Sequence, residues 1–169
     1  MPQYKIALKK SYLAMIKNAV GTNMFRNFYL IKNGRVNDDT KDGQLSCALF
    51  VTAILYHFGL IKKPHLTVKS TQADLKTSGW RKIKGPKPGA VLFWEEKYNN
   101  GSANRHVGFY LGQQMAISNM ASKRKPGRHH WTYNNARQVE AIYWHSELNN
   151  KQFNGAGKKL DKDEKIIDS

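Results

Sequence analysis

The sequence predicts an α+β protein in which N-terminal helices pack on an antiparallel β-sheet. Two observations predict this class. Apolar residues recur at helical spacing before residue 80, and short apolar runs separated by turns follow after it. With 169 residues, of which 40% are hydrophobic, the chain can form one domain with a buried core. We expect a single domain at residues 1–150 and a basic, flexible tail at residues 151–169.

Three helices are predicted in the first half of the chain. Residues 4–20 carry apolar side chains at helical spacing and lysines on the opposite face. Residues 45–58 are apolar on almost every side, which predicts a central, buried helix. Residues 70–78 form a shorter third helix that Ser70 or Thr71 can cap.

Strands are expected in the second half of the chain, each bounded by a turn or a polar loop. The predicted strands cover residues 90–94, 106–111, 115–118 and 139–144. Three polar segments are predicted to be loops, at residues 22–44, 99–105 and 123–128, and the first of them can include a short hairpin.

The composition limits the classes of partner and of site. The net charge of +16 favours a polyanionic partner: nucleic acid, anionic lipid or an anionic cell-wall polymer. A single cysteine excludes an intrachain disulfide and any zinc site built on two or more cysteines. Neither a transmembrane segment nor a signal peptide is visible, so we expect synthesis in the cytoplasm.

Cys47 is the candidate nucleophile because it lies near the start of the central apolar helix. Free N–H groups and the partial positive charge of a helix N-terminus favour the thiolate over the thiol. The alternative interpretation is that Cys47 is a small apolar residue of the core, which is the usual place of a lone cysteine.

His106 is the candidate general base, since it opens a predicted core strand directly after a polar loop. A histidine at an exposed strand edge is the alternative. A third polar group should orient the imidazole, and the next strand offers Asn119, the chemically better choice, or Ser118. The neighbouring His129 and His130 are further alternatives.

The other histidines are weaker candidates. His57 lies on the Cys47 helix about 15 Å along its axis, which is too far for a catalytic pair. His65 and His145 are expected at the surface.

Three segments together resemble the NlpC/P60 hydrolases, which are related to the CHAP enzymes. Residues 46–51 (SCALFV) resemble the Asp-Cys-Ser-Gly-Phe-Val box, and residues 87–94 (KPGAVLFW) resemble the Pro-Gly strand of that family. Residues 106–112 (HVGFYLG) are very close to the family's His-Val-Gly-Ile-Tyr-Leu-Gly segment. Ser46, Ala48 and Leu49 depart from the family's usual Asp, Ser and Gly, which indicates a divergent branch.

The resemblance implies a papain-like fold and amide hydrolysis by Cys47 and His106, with no metal or organic cofactor. It implies a substrate in the stem peptides of bacterial peptidoglycan, cut by an endopeptidase or an amidase acting at the cell wall. Ser118 falls where the family commonly has a third catalytic residue. The candidate substrate-binding residues are Tyr29, Trp94 and His129.

Other functions are open from the sequence. A deamidase, transglutaminase-like toxin or acyltransferase of the same fold would use the same pair of residues. Aromatic residues among basic ones, as in residues 80–82 and 128–131, suit a nucleic-acid binder that has no catalytic role. A degenerate relative that binds cell wall without cutting it is the third alternative.

Overall fold

Helices and antiparallel strands make up the part of the chain that the computed structural model describes, residues 4–99 and 102–149. The protein is therefore of the α+β class. Its helices are α1 (Leu8–Asn18), α2 (Cys47–His57) and α3 (Val68–Thr77), followed by a final 3-10 turn at Ser146–Asn149. Its strands are β1 (Tyr29–Lys32), β2 (Arg35–Asp38), β3 (Trp80–Lys82), β4 (Val91–Asn99), β5 (Ser102–Gly112), β6 (Met115–Met120), β7 (Lys125–His130) and β8 (Val139–His145).

The three predicted helices are confirmed; α1 and α2 are shorter than the sequence indicated, and α3 begins two residues earlier. In α1 the buried side chains Leu8, Tyr12 and Ile16 recur every four residues, which places one face of the helix on the core. In α2 seven of the eleven residues are buried, and the two exposed ones, Tyr56 and His57, lie at its C-terminal end. The hydroxyl of Thr67 caps α3 by accepting the Ser70 N–H, so the predicted caps within the helix are wrong.

The main sheet has six antiparallel strands in the order β3-β8-β4-β5-β6-β7. Strand β8, the last of the described strands, therefore lies between β3 and β4. Helices α1 and α2 pack on one face, where Phe109 of β5 meets Tyr12 and Phe50 at ring-centre distances of 5.7 and 5.4 Å. This aromatic contact sits in the centre of the core and fixes α2 against β5.

Two of the predicted loops are partly strand. The basic segment 123–128 contributes to β7, in which Pro126 pairs with Asn119 of β6. An edge strand accepts a proline and charged residues because one of its sides has no ladder partner, and this hid the strand in the sequence. The polar segment 99–105 belongs largely to the paired ends of β4 and β5.

The segment before α2 contains a separate two-stranded hairpin, β1–β2, turned by Asn33 and Gly34. Both turn residues have positive φ, of 51° and 74°, as a tight hairpin turn requires. The large side chains Tyr29, Ile31 and Val36 are 64–76% exposed on this hairpin.

The predicted tail at residues 151–169 lies outside the described residues. Within residues 4–99 and 102–149, none of the helices has the length and hydropathy needed to cross a bilayer.

Candidate active site

Cys47 is the first residue of α2, the helix that packs on β5 and β6. Pairing between these strands begins at Gly108 and Ser118. The backbone N–H of Val107, one residue earlier, lies near enough to the Cys47 thiol to act on its pKa. Cys47 is partly exposed to solvent. The candidate nucleophile therefore lies beside Val107, the residue that follows the candidate base His106 in β5.

Burial raises the pKa of the Cys47 thiol, because it disfavours the charged thiolate. The N–H groups of Ala48, Val107 and Cys47 itself, and the charge of Arg137, act in the opposite direction. Ser46 at the N-cap makes no side-chain hydrogen bond and so does not compete for these groups. The expected lowering of the thiol pKa at the helix start is wrong, since burial outweighs it. The resting form is the thiol.

The segment that leads into Cys47 is held by contacts from two other parts of the chain. The amide of Asn119 donates to the Gly43 carbonyl at 2.7 Å. Asp42 pairs with both Arg26 and Arg124. A Cβ at Gly43 would lie 2.5 Å from the Arg124 carbonyl oxygen, so the approach requires glycine. These contacts fix the position of the helix start and of its sulfur.

His106 lies within β5 rather than at its start, and its ring packs on Trp94 with ring centres 5.4 Å apart. Trp94 is fully buried and donates its indole N–H to the Trp131 carbonyl at 2.7 Å. A Cβ at Gly108 would approach the Cβ of Ser118 to 2.7 Å, so glycine here allows β6 to come close. The imidazole is thereby held between Trp94 and Ser118.

Ser118 forms a bridge between two histidines. Its Oγ lies 2.8 Å from Nε2 of His106 and 2.7 Å from Nε2 of His129. His129 Nδ1 lies 2.8 Å from the His130 carbonyl, which can only accept, so this nitrogen carries the ring proton. Nε2 of a neutral His129 must then accept the Ser118 proton. Ser118 in turn accepts from Nε2–H of His106.

This chain of donors leaves Nδ1 of His106 without a proton, which is the state that a general base needs. Tyr133 completes the arrangement, because its hydroxyl lies 3.1 Å from Ser118 Oγ and can donate to it. Ser118 then donates once and accepts twice, which is the full capacity of a hydroxyl. Tyr133 also stacks on His129 with ring centres 4.0 Å apart.

Desolvation holds the pKa of His106 down at about 3, and the nearby charge of Arg137 and the ring of His129 act in the same direction. The pKa of His129 is lowered as well, chiefly by burial. Both rings are therefore neutral at physiological pH. Arg137 is oriented by hydrogen bonds to the carbonyls of Glu95 and Asn104.

The sulfur of Cys47 and the ring of His106 are not hydrogen-bonded to each other in this structure. A catalytic contact of this kind is often long before substrate binds and shortens in the complex. The site therefore holds a neutral thiol and a neutral, correctly protonated imidazole on adjacent elements.

The structure brings four predicted site residues together: Cys47, His106, Ser118 and His129. Asn119, the preferred orienting residue, points to Gly43 because alternate residues of a strand face opposite sides. The prediction that it contacts the imidazole is therefore wrong, and Ser118 makes that contact.

The predicted substrate-binding residues occupy other places. Trp94 is buried beneath His106 and cannot reach a substrate, and the partly exposed His129 contacts Ser118. Tyr29 lies on the exposed hairpin and shares no hydrogen bond or ring contact with Cys47 or His106 among the described residues. The sequence does not report how these side chains pack.

Two histidines that were expected at the surface are not there. His65 is largely buried and pairs with Asp74, with Nε2 and Oδ2 2.7 Å apart. His145 is buried beside Trp80, and its Nε2 donates to the Ser78 carbonyl at 2.9 Å. Neither lies at the Cys47 site.

Sequence reasoning missed two residues of the site, Tyr133 and Arg137. Both belong to the segment between β7 and β8. The pattern of predicted strands did not indicate that this segment would contact β5. An arginine in a chain with 28 lysines and arginines carries no signal of its own. In residues 4–99 and 102–149 we find no cluster of three or more histidine, cysteine or acidic side chains able to hold a metal ion.

No protein-family model matches the chain, and no curated protein matches it.

Proposed function

We propose that the protein is a divergent cysteine hydrolase of the papain-like NlpC/P60 class that cleaves amide bonds in peptidoglycan stem peptides. One observation carries this proposal. The only cysteine of the chain is the first residue of the buried helix α2 and lies near the backbone N–H of Val107. The preceding residue, His106, is hydrogen-bonded to Ser118 through Nε2, which leaves Nδ1 of its ring able to accept a proton.

The arrangement of elements supports the papain-like fold. A central helix that begins with the nucleophile packs on an antiparallel sheet, and the base and its orienting group occupy consecutive strands, β5 and β6. The resemblance of residues 87–94 and 106–112 to the family falls on β4 and β5, the two strands at the centre of this arrangement.

In the first step the substrate carbonyl lies against Cys47. The thiol proton passes to Nδ1 of His106 as the sulfur bonds to the carbonyl carbon. The carbonyl oxygen takes the negative charge, and the backbone N–H of Cys47 can donate to it. The positive charge of Arg137 lowers the cost of thiolate formation.

In the second step His106 gives its proton to the leaving amine as the C–N bond breaks, which leaves a thioester on Cys47. Water then attacks the thioester, His106 takes a proton from it, and the acid product leaves with the thiol restored. Through both steps Ser118 keeps its hydrogen bond to Nε2 of His106, so the ring does not rotate away from the sulfur.

The charge of the chain supports an anionic cell-wall partner. A net charge of +16 would concentrate the protein on the anionic polymers of a bacterial wall. The proposed place of action is therefore the cell wall, as for a phage lysin, an effector or a protein exported without a classical signal.

The proposal is tested by incubating purified peptidoglycan with the protein and analysing the soluble muropeptides by mass spectrometry. We expect new products that have gained one water for each bond cut, and none with Cys47→Ala or His106→Ala. His57→Ala is the matched control, because it removes an exposed histidine at the far end of the same helix.

Absence of muropeptide products would contradict the proposal, as would equal products from Cys47→Ala. A parallel incubation with a glutamine-containing protein and an acyl donor measures deamidation and acyl transfer. Activity only in that reaction would assign the same residues to a different substrate.

A further inference from the structure

An open cleft of about 630 Å³ is lined in part by the segment after β7, which also brings Tyr133 to Ser118 of the candidate site. One wall comes from the end of β5 and the turn that follows it, with Tyr110 and Gln114. The opposite wall comes from the segment after β7, with Trp131, Asn134 and Asn135. The volume is within the range of small-molecule sites in proteins, roughly 300–1,000 Å³.

The lining of the cleft is uncharged in a protein that is otherwise strongly basic. The chain has 28 lysines and arginines and 12 acidic residues, but none of these lines the cleft. The side chains are aromatic, amide, hydroxyl, imidazole and proline groups. An anionic ligand would find no cation here, so the cleft suits a neutral, polar ligand.

Aromatic and amide groups face the same space. Tyr110 and Trp131 meet edge to face with ring centres 5.7 Å apart, and both rings border the cleft. A sugar ring has an apolar face of C–H groups that packs on an aromatic ring and a rim of hydroxyls that needs donors and acceptors. The amides of Asn134 and Gln114 supply both.

The wall is held in one conformation before any ligand binds. Nδ1 of His130 accepts hydrogen bonds from the Thr132 hydroxyl at 2.9 Å and from the Asn134 N–H at 3.3 Å. Its Nε2 then carries the ring proton and donates to Gln114 Oε1 at 3.0 Å, which leaves the amide NH₂ of Gln114 as the free donor. The ring of His130 thereby ties both walls together.

The same wall contains an unusual backbone. Tyr133, Asn134 and Asn135 have φ values of 51°, 54° and 65°, three successive residues in the left-handed region. This conformation costs about 1 kcal/mol or more for Tyr133, whereas asparagine adopts it more readily, and strain of this kind clusters at functional sites. The strained run joins the active site, through Tyr133 on Ser118, to the cleft, through Asn134 and Asn135.

We propose that this cleft binds a neutral saccharide unit, next to the bond that Cys47 attacks. The saccharide class follows from the cleft itself. The more specific assignment, an N-acetylated hexosamine of the glycan to which the stem peptide is attached, rests on the proposed function. The enzyme would then prefer peptides that still carry their sugar.

The test measures binding of an N-acetylglucosamine tetramer by titration calorimetry and tryptophan fluorescence. We expect saturable binding that is the same at low and high salt, since no charge is involved, and the same for Cys47→Ala. Trp131→Ala and Asn134→Asp should each weaken binding about tenfold, a loss of 1.4 kcal/mol. Asn134→Asp keeps the size and the left-handed backbone preference while it removes the amide donor.

Tyr98→Ala is the matched control, because this tyrosine is 76% exposed on β4 and lies outside the cleft. Lack of saturable binding by the wild type would overturn the inference, as would unchanged binding by both cleft variants. Binding without peptidoglycan cleavage would contradict the proposed function and leave the saccharide site standing. Cleavage of peptidoglycan without binding of the tetramer would contradict the saccharide site and leave the proposed function standing.

Discussion

Two histidines near α2, His106 and His65, differ in the group that each ring contacts. His106 meets the hydroxyl of Ser118 at 2.8 Å, whereas His65 meets the carboxylate of Asp74 at 2.7 Å. Burial acts to raise the pKa of Asp74, but the hydrogen bonds from His65 and Ser78 outweigh it and the pKa is lowered. The carboxylate partner makes a structural hydrogen bond to His65, while the hydroxyl partner of His106 accompanies a neutral ring.

The largest difference between the two histidines is expected in the rate of hydrolysis when each is replaced by alanine. His106→Ala should reduce the rate of peptidoglycan cleavage about 10²- to 10⁴-fold, the usual contribution of a general acid–base group. His65→Ala should leave the rate per folded molecule unchanged. Muropeptide release over time, normalised to folded protein by circular dichroism, measures both. Equal losses in the two variants would remove the distinction between the rings.

Loss of the hydroxyl partner should have a smaller effect on rate. Ser118→Ala removes the hydrogen bond to His106 and should lower the rate about 5- to 10-fold, since such a bond is worth roughly 1 kcal/mol. Ser118→Thr keeps a hydroxyl and should recover part of the loss. An unchanged rate in Ser118→Ala would mean that the ring is oriented by Trp94 alone.

Loss of the carboxylate partner should affect stability instead of rate. Asp74→Asn weakens the pair with His65 in a largely buried setting and should lower the free energy of unfolding by about 1–3 kcal/mol. Urea unfolding at neutral pH measures this change. Asp39→Asn, at an exposed ion pair with Lys32, is the control and should change stability by less than about 1 kcal/mol.

The neutral state of His106 should appear in the pH dependence of stability. Because its pKa falls from 6.5 to about 3 on folding, the unfolded chain binds a proton that the folded protein excludes. Stability is therefore full above pH 6.5 and decreases as the pH falls toward 3. His129 contributes in the same direction. Urea midpoints measured across this range should depend less on pH in His106→Gln than in the wild type.

The smallest effect is expected from the charge near the thiol. Arg137→Met removes a positive charge that lowers the pKa of Cys47, so the thiol should react a few-fold more slowly with iodoacetamide near neutral pH. Arg105→Met, at the exposed ion pair with Glu140, is the control. A faster reaction in Arg137→Met would show that access to the sulfur, and not charge, limits alkylation.

The sequence predicted the elements more reliably than the contacts between them. The helix that contains Cys47 and the strand that contains His106 are recognisable because their apolar patterns have helical and strand periodicity. Strand β7 was missed, since an edge strand can carry basic residues, a proline and a glycine. The order β3-β8-β4 was not predictable from local pattern, because β8 reaches its place only through contacts with distant strands.

In the candidate site, too, the sequence predicted residues more reliably than the contacts between them. Spacing and residue type identified Cys47, His106 and the choice between Ser118 and Asn119. The choice itself depended on which of two adjacent side chains the twisted strand turned toward the ring. Tyr133 and Arg137 come from a segment whose conformation depends on left-handed turns and on Glu95 and Asn104, and local sequence does not encode these contacts.

The amino-acid sequence alone therefore determined the α+β class, the strong positive charge and the choice of Cys47 and His106 as candidate nucleophile and candidate base. The tertiary structure alone decided the ionisation of these groups and their partners. The reason is physical: composition and periodicity are properties of the chain, whereas a pKa and a hydrogen bond depend on burial and on neighbours that only folding brings together.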